Sequence, residues 1–459
     1  MVILTGDDTM VLIQSVLARE IIDSRGNPTV EVEFVTARGV VRASVPSGAS
    51  TGTHEAHELR DGGKRFLGLG VLKSIGFVHK VIGPKIVSKK WKSQDEFDLF
   101  LCSLDGTASK RKLGANTILA CSLAFARAWA LEEGIPLWGH IAIHVADQQK
   151  LIDAGLKANA TLKGRSTSKN VVSKEVKGLT RLGPVHVPRP FFNILNGGKH
   201  ADSGLCIQEF MIAPNMKSFS ENLRVGSEVY HTLKKVIHAK YGAGSTNVGD
   251  EGGFACAKIK TISEALDVIV KAITEAGYTD HVDIALDCAA SEFYDSKRGK
   301  YNVDGKWMSA EKLGEFYCSL VARYRIISIE DPFFEEDFAR FAVLRKMSGV
   351  QVVGDDLTVT NPLRVARGLR DGSITCLLLK VNQIGTLTEA ISCALMMRRA
   401  GLGVMVSHRS GETEDTFISH LAVGLGCGMI KSGAPCRGER VSKYNELLRI
   451  EEELRLSPK

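Results

Sequence analysis

From about residue 280 the sequence repeats one unit: a short apolar run, an ionisable residue at or just after its end, then an amphipathic stretch. The runs are Val282–Leu286, Ile326–Ile329, Val350–Val353, Cys376–Leu379, Val404–Val406 and Gly428–Ile430. The ionisable residues that follow them are Asp287, Glu330, Asp355, Lys380, His408 and Lys431. Short apolar runs alternating with helical patterns predict a parallel sheet covered by helices. The helices carry punctuation. Thr261-Ile262-Ser263-Glu264 and Thr386-Leu387-Thr388-Glu389 have capping-box spacing, and Asn361-Pro362 supplies an N-cap and a proline at the first helical position. Gly372 and Gly401 stand where the corresponding helices should stop. Residues 186–459 are therefore expected to form a catalytic βα-barrel, for which about 250 residues is typical.

The chain ahead of it reads differently. Residues 12–140 open with strand patterns: Thr29–Val35 follows a turn at Arg25-Gly26-Asn27-Pro28, and Gly39–Val45 looks like its hairpin partner. A helical pattern from Asn116 to Leu131 stops at Gly134. Strands followed by helices suggest a small α+β capping domain, with residues 1–11 as an extension before it. Residues 147–184 are rich in Lys, Ser, Thr and Asn, and Leu162–Asn170 has neither helical nor strand periodicity. This stretch reads as a mobile basic insertion or linker, whose deletion should leave the fold intact.

The formal charge of +7 has one main address. Eight Lys/Arg face three acids between Asp147 and Arg181, so the basic balance reports a local segment and gives no reason to expect specific nucleic-acid binding. No apolar run approaches the roughly 18 residues that span a bilayer. No signal-peptide pattern opens the chain, and the ten cysteines show neither CxxC pairs nor zinc spacing. A cytoplasmic protein with free thiols is the expectation.

Charged groups at the C-terminal ends of successive barrel strands meet at one mouth, where barrel active sites lie. Asp287, Glu330 and Asp355 would repel one another there unless compensated. An all-oxygen set suits Mg²⁺, whereas zinc would want His or Cys among its ligands. The alternative is a salt-bridge network of these acids with Lys380 or Lys431. Lysine, with an ordinary pKa near 10.4, becomes a base only when its neutral form is favoured. Burial and a second ammonium act in that direction, while carboxylates and an anionic substrate oppose it. Asn196–His200 and Gly249–Gly253 place further ionisable groups on glycine-flexed loops, and Arg409-Ser410-Gly411 suits a phosphate. No P-loop and no GxGxxG fingerprint occurs, which argues against a nucleotide enzyme.

Longer motifs carry a resemblance. Asp23–Val32, Ser47–Gly52, Lys112–Asn116, Gln208–Met211, Gly249–Gly253, Leu286–Ala289, Ser328–Pro332, Asp355–Asn361, Leu379–Thr386, Ser407–Thr413 and Lys431–Pro435 together resemble the enolases, in order, over about Leu12–His140 and Pro188–Leu454. The resemblance implies a glycolytic, cytoplasmic, homodimeric enzyme that reversibly dehydrates 2-phosphoglycerate to phosphoenolpyruvate with two Mg²⁺. Under it, Asp287, Glu330 and Asp355 would hold one Mg²⁺ and Ser50 the second. Lys380 would be the base. Glu251, supported by Glu209, would be the acid. Arg409 and Ser410 would hold the phosphate, His200 and His408 would line the pocket, and Lys431 would face the substrate carboxylate. Lys199 and Asp202 depart from the small residues common in that loop, and the basic segment 147–184 is longer than the usual connection. Two rivals stand beside this reading: a binding protein on the same scaffold that uses the basic segment, and a barrel enzyme that enolises carboxylates without phosphate. Intact ligand and base positions argue against the first, and Arg409-Ser410 with the Ser50 loop against the second.

Overall fold

The computed structural model describes residues 10–49, 51–163, 185–201 and 203–456. Near the N-terminus, β1 (Ser15–Ile22), β2 (Pro28–Thr36) and β3 (Gly39–Ser44) form an antiparallel sheet with β2 in the middle. Asp23 closes the β1–β2 turn by accepting the backbone N–H groups of Arg25 and Asn27, both at 2.9 Å. The inner face of the sheet packs on helix α1 (Ala115–Glu133), which is buried over most of its length and ends at Gly134 in the left-handed conformation. Phe34, Trp91, Phe97 and Phe125 form the aromatic centre of this domain, with Phe97 and Phe125 stacked at 4.0 Å.

Helix α2 (Leu137–Lys163) runs into the stretch expected to be a linker. Its Gln148 is buried and bonds to Asp95, to the carbonyl of Thr388 and to Ser392, so residues 147–163 are not a loop and the expected boundary at 147 is wrong. Deletion from residue 147 would break these bonds. The rest of the basic stretch, 164–184, lies outside the described residues, as does the N-terminal extension through residue 9.

The C-terminal part is a closed barrel of eight strands: β4 (Arg189–Asn196), β5 (Glu209–Pro214), β6 (Val282–Asp287), β7 (Ile326–Glu330), β8 (Gln351–Gly354), β9 (Cys376–Leu379), β10 (Gly403–Ser407) and β11 (Gly428–Lys431). Phe191, Met211, Ala285, Val353, Leu378 and Met405 fill its interior. β6 to β11 are the six strands read from the sequence, and they run parallel. The sheet is not uniformly parallel, however. β5 is antiparallel to both β4 and β6, with Glu209 opposite Asp287. Two helices in succession, α3 (Phe219–Tyr241) and α4 (Ile262–Glu275), then lead to β6. Because β5 runs backwards, its first residue lies at the same mouth as the last residues of its neighbours. Thr261, Asn361 and Thr386 each cap a helix by accepting a backbone N–H, as their spacing predicts. Among the described residues, no helix is long and apolar enough to cross a membrane.

Candidate active site

The barrel mouth gathers charge that water does not reach. Asp287, Glu330, Asp355, Lys431, His408 and Arg409 are all buried. Lys431 ends β11, and its ammonium lies 3.1 Å from Asp287, 2.9 Å from Glu330 and 3.2 Å from Glu209. Lys380, just after β9, holds Asp355 at 2.5 Å, and Gln383 donates to the other Asp355 oxygen at 2.8 Å. The ion-pair network considered from the sequence is therefore present. It does not by itself account for the electrostatics. Burial and the neighbouring Asp287 charge push the Glu330 carboxyl well above the usual range. Burial opposes the charge on Lys431, but Asp287, Glu209 and Glu330 keep its ammonium well above the ordinary value. Burial likewise opposes charge on Lys380, and Asp355 outweighs it.

A second group lies beside the first. Glu251, on the Gly249–Gly253 loop, accepts from Asn193 at 2.9 Å and lies 3.5 Å from His200 and 3.3 Å from His408. Burial raises the cost of its charge, but His200 and His408 hold it well below the carboxylate range. Glu209 is pushed the other way, first by burial and then by the Glu251 charge. The loop needs its glycines: a Cβ on Gly253 would stand 1.9 Å from Asn196 Oδ1.

The N-terminal domain supplies the third wall. Glu55 takes both terminal nitrogens of Arg409, at 3.0 and 3.1 Å, and Asn382 accepts from Arg409 at 2.9 Å. Ser410 Oγ accepts the Ala49 N–H at 2.6 Å, so the small-residue loop touches the barrel directly. Ser50 itself lies outside the described residues, as does Asp202. Lys199 pairs with Glu292 at 2.7 Å on the surface, which ties the His200 turn to the turn after β6. A small cavity of about 20 Å³ joins these groups; His200, Glu209, Glu251, Asp355, Lys380, His408, Arg409, Ser410 and Lys431 are among its walls. Asn193, Glu55, Gln383 and Asn382 were not singled out from the sequence. Their polarity is ordinary, and only contacts across chain segments mark them.

The donor chemistry fits a divalent cation. Asp287 and Glu330 converge on the Lys431 ammonium, burial and the Asp287 charge push the Glu330 carboxyl above its usual range, and both carboxylates offer oxygen donors. Two other groups, His200, Glu209 and Glu251, and Asp331, Asp355 and Asp356, each bring possible ligand atoms within 4.8 Å of one another. Asp331, however, already accepts the N–H groups of Asp355 and Asp356, at 2.9 and 2.6 Å, and so fixes the turn that presents Asp355. Family models agree with this architecture: one described as "Enolase, N-terminal domain" matches residues 13–141, and one described as "Enolase, C-terminal TIM barrel domain" matches residues 184–458. A capping sheet-and-helix domain, a barrel with one reversed strand and a metal-competent acidic mouth are thus accounted for together, and the chain belongs to the enolase family.

Proposed function

We propose that this chain catalyses the reversible dehydration of 2-phosphoglycerate to phosphoenolpyruvate, a glycolytic step, as a cytoplasmic homodimer using two Mg²⁺. The observation that carries the reading is the placement of two ammonium groups, the partly buried Lys380 and the buried Lys431, at one mouth with an acid–imidazole group and the Arg409–Ser410 segment. A carbon acid next to a carboxylate needs a base at the carbon and positive charge at the carboxylate. Lys380 would take the proton and Lys431 would face the carboxylate. The leaving hydroxyl needs a proton, and Glu251, supported by Glu209, would supply it. Arg409 and Ser410 would grip the phosphate, with His200 and His408 lining the pocket. Asp287, Glu330 and Asp355 would hold one Mg²⁺, and Ser50 would contribute to the second. Mg²⁺ held by these residues would supply positive charge for the carboxylate as proton removal proceeds, while Asp355 is the group that favours the charged form of Lys380.

Absorbance of the enol product should rise when 2-phosphoglycerate and Mg²⁺ are both supplied, and stay flat when either is left out. A folded, Mg²⁺-loaded protein that gives no rise would reject the reading. The dimer is supported by exposed apolar residues on the capping domain, Phe66, Leu67, Leu69 and Leu72, of which Leu67 is 93% exposed. Sedimentation of the full chain at twice the monomer mass is the expected result.

Arg409 gives a separate prediction. Its planar fork matches both Glu55 and a phosphate, and a lysine cannot hold two partners in fixed geometry. Arg409→Lys should raise KM for 2-phosphoglycerate about ten- to a hundredfold, with a smaller change in kcat. Steady-state kinetics check this, and an unchanged KM would remove Arg409 from phosphate binding.

A further inference from the structure

Arg440 lies near the start of helix α5 (Gly438–Leu456) and is completely buried. One terminal nitrogen, Nη1, donates to His408 Nδ1 at 2.7 Å and to the carbonyl of Arg409 at 2.6 Å. The other, Nη2, donates to the carbonyls of Ser410 at 2.6 Å and of Asp250 at 3.1 Å. A single guanidinium therefore joins the segment after β10 to the loop that carries Glu251. The approach is close: a Cβ on Gly433, whose φ is +78°, would stand 2.9 Å from Arg440 Cδ and 2.7 Å from the carbonyl of Glu251.

The contact with His408 has a chemical consequence. A guanidinium offers donors only, so the imidazole nitrogen that faces it must be the acceptor. The ring proton of neutral His408 then sits on Nε2, the nitrogen 3.3 Å from Glu251 Oε2. Neutrality is favoured because burial and the Arg440 charge both oppose a second positive charge, against the pull of Glu251. A buried arginine serving the fold alone would need only the three carbonyls. The bond to a side-chain nitrogen selects one tautomer of a ring aimed at Glu251.

We propose that Arg440 is a positioning residue, which fixes His408 as the Nε2–H tautomer facing Glu251 and holds the Arg409–Ser410 segment in register with that acid. The kinetic part of this rests on the dehydration reading; the tautomer does not. Lysine at this position keeps the charge but presents one nitrogen, and cannot serve His408 and three carbonyls together.

The test is ¹⁵N NMR of the full chain labelled at histidine, with the His408 signals assigned by His408→Asn, beside kinetics of Arg440→Lys. In the wild type, His408 should show an unprotonated Nδ1 and a protonated Nε2. In folded Arg440→Lys, that pattern should be lost and kcat should fall about a hundredfold, while KM for 2-phosphoglycerate moves less than about fivefold. A proton on Nδ1 in the wild type overturns the proposal. So does an unchanged tautomer in Arg440→Lys, whatever its kcat, or a changed tautomer with undiminished kcat. If Arg440→Lys does not fold, the wild-type tautomer decides alone. If the wild type dehydrates nothing, the dehydration reading fails, and the NMR arm still upholds or overturns the Arg440–His408 coupling.

Discussion

Lys380→Ala should all but abolish dehydration, lowering kcat about 10²- to 10⁴-fold, the range for loss of a positioned general base. KM should change little, because the amine would act on a proton that moves only as the reaction proceeds. The fold should survive. Lys380 is half of an ion pair with Asp355, but Asp355 also accepts from Gln383, and the turn that carries it is clamped by Asp331. Exchange of the substrate's proton with deuterium from solvent isolates the step. It should proceed with the wild type and vanish with Lys380→Ala, even where binding of 2-phosphoglycerate, measured by calorimetry, is retained. Exchange that persists would move the base elsewhere, and Lys431 would be the next candidate. Its contacts with Glu209, Asp287 and Glu330 make that exchange of roles testable with Lys431→Ala.

The strands that carry these lysines were legible because parallel barrel strands are buried on both faces, and continuous apolar runs with glycine and cap residues between them have few other solutions. β4 and β5 were missed for the same reason in reverse. Arg189–Asn196 opens with Arg-Pro, and Glu209–Pro214 opens on its charged residue, so the rule of an apolar run that ends in charge fails for a reversed strand. Glu209 entered the reading through the family motif alone. The capping-domain contribution was hidden further. Glu55 lies far along the chain from Arg409, and nothing local distinguishes it from a solvated glutamate until the two domains meet. Arg440 gave no signal either, since a charged residue opening a helix is ordinarily a surface feature; its burial comes from the packing of α5 behind the Gly433 turn. The helical start of the basic stretch was misread because its lysines outweighed a sparse apolar pattern, while the seam it fills is polar: Gln148 meets Asp95, Thr388 and Ser392 there.

Glu330→Gln should remove the stabilisation that Mg²⁺ gives the folded chain, together with its activity. With free Mg²⁺ at a hundred times its dissociation constant, a ligand that binds only the folded state adds about 2.7 kcal/mol, which a thermal melt reads as a Tm rise of a few degrees. Chelation should reverse that rise in the wild type and stop the dehydration. The substitution keeps the shape of the side chain and removes a charge that is costly in the metal-free protein, where burial and Asp287 both disfavour it. Lys431 would still meet Asp287 and Glu209. The metal-free variant should therefore melt within about 1 kcal/mol of the wild type, because relief of carboxylate repulsion offsets one lost contact to the ammonium. The response to Mg²⁺ is where the two proteins should part: a rise in the wild type and none in Glu330→Gln. An undiminished rise in the variant would place the ion away from β7. The group formed by Asp331, Asp355 and Asp356 would then be its holder, and Asp356→Asn would be the variant expected to lose the response.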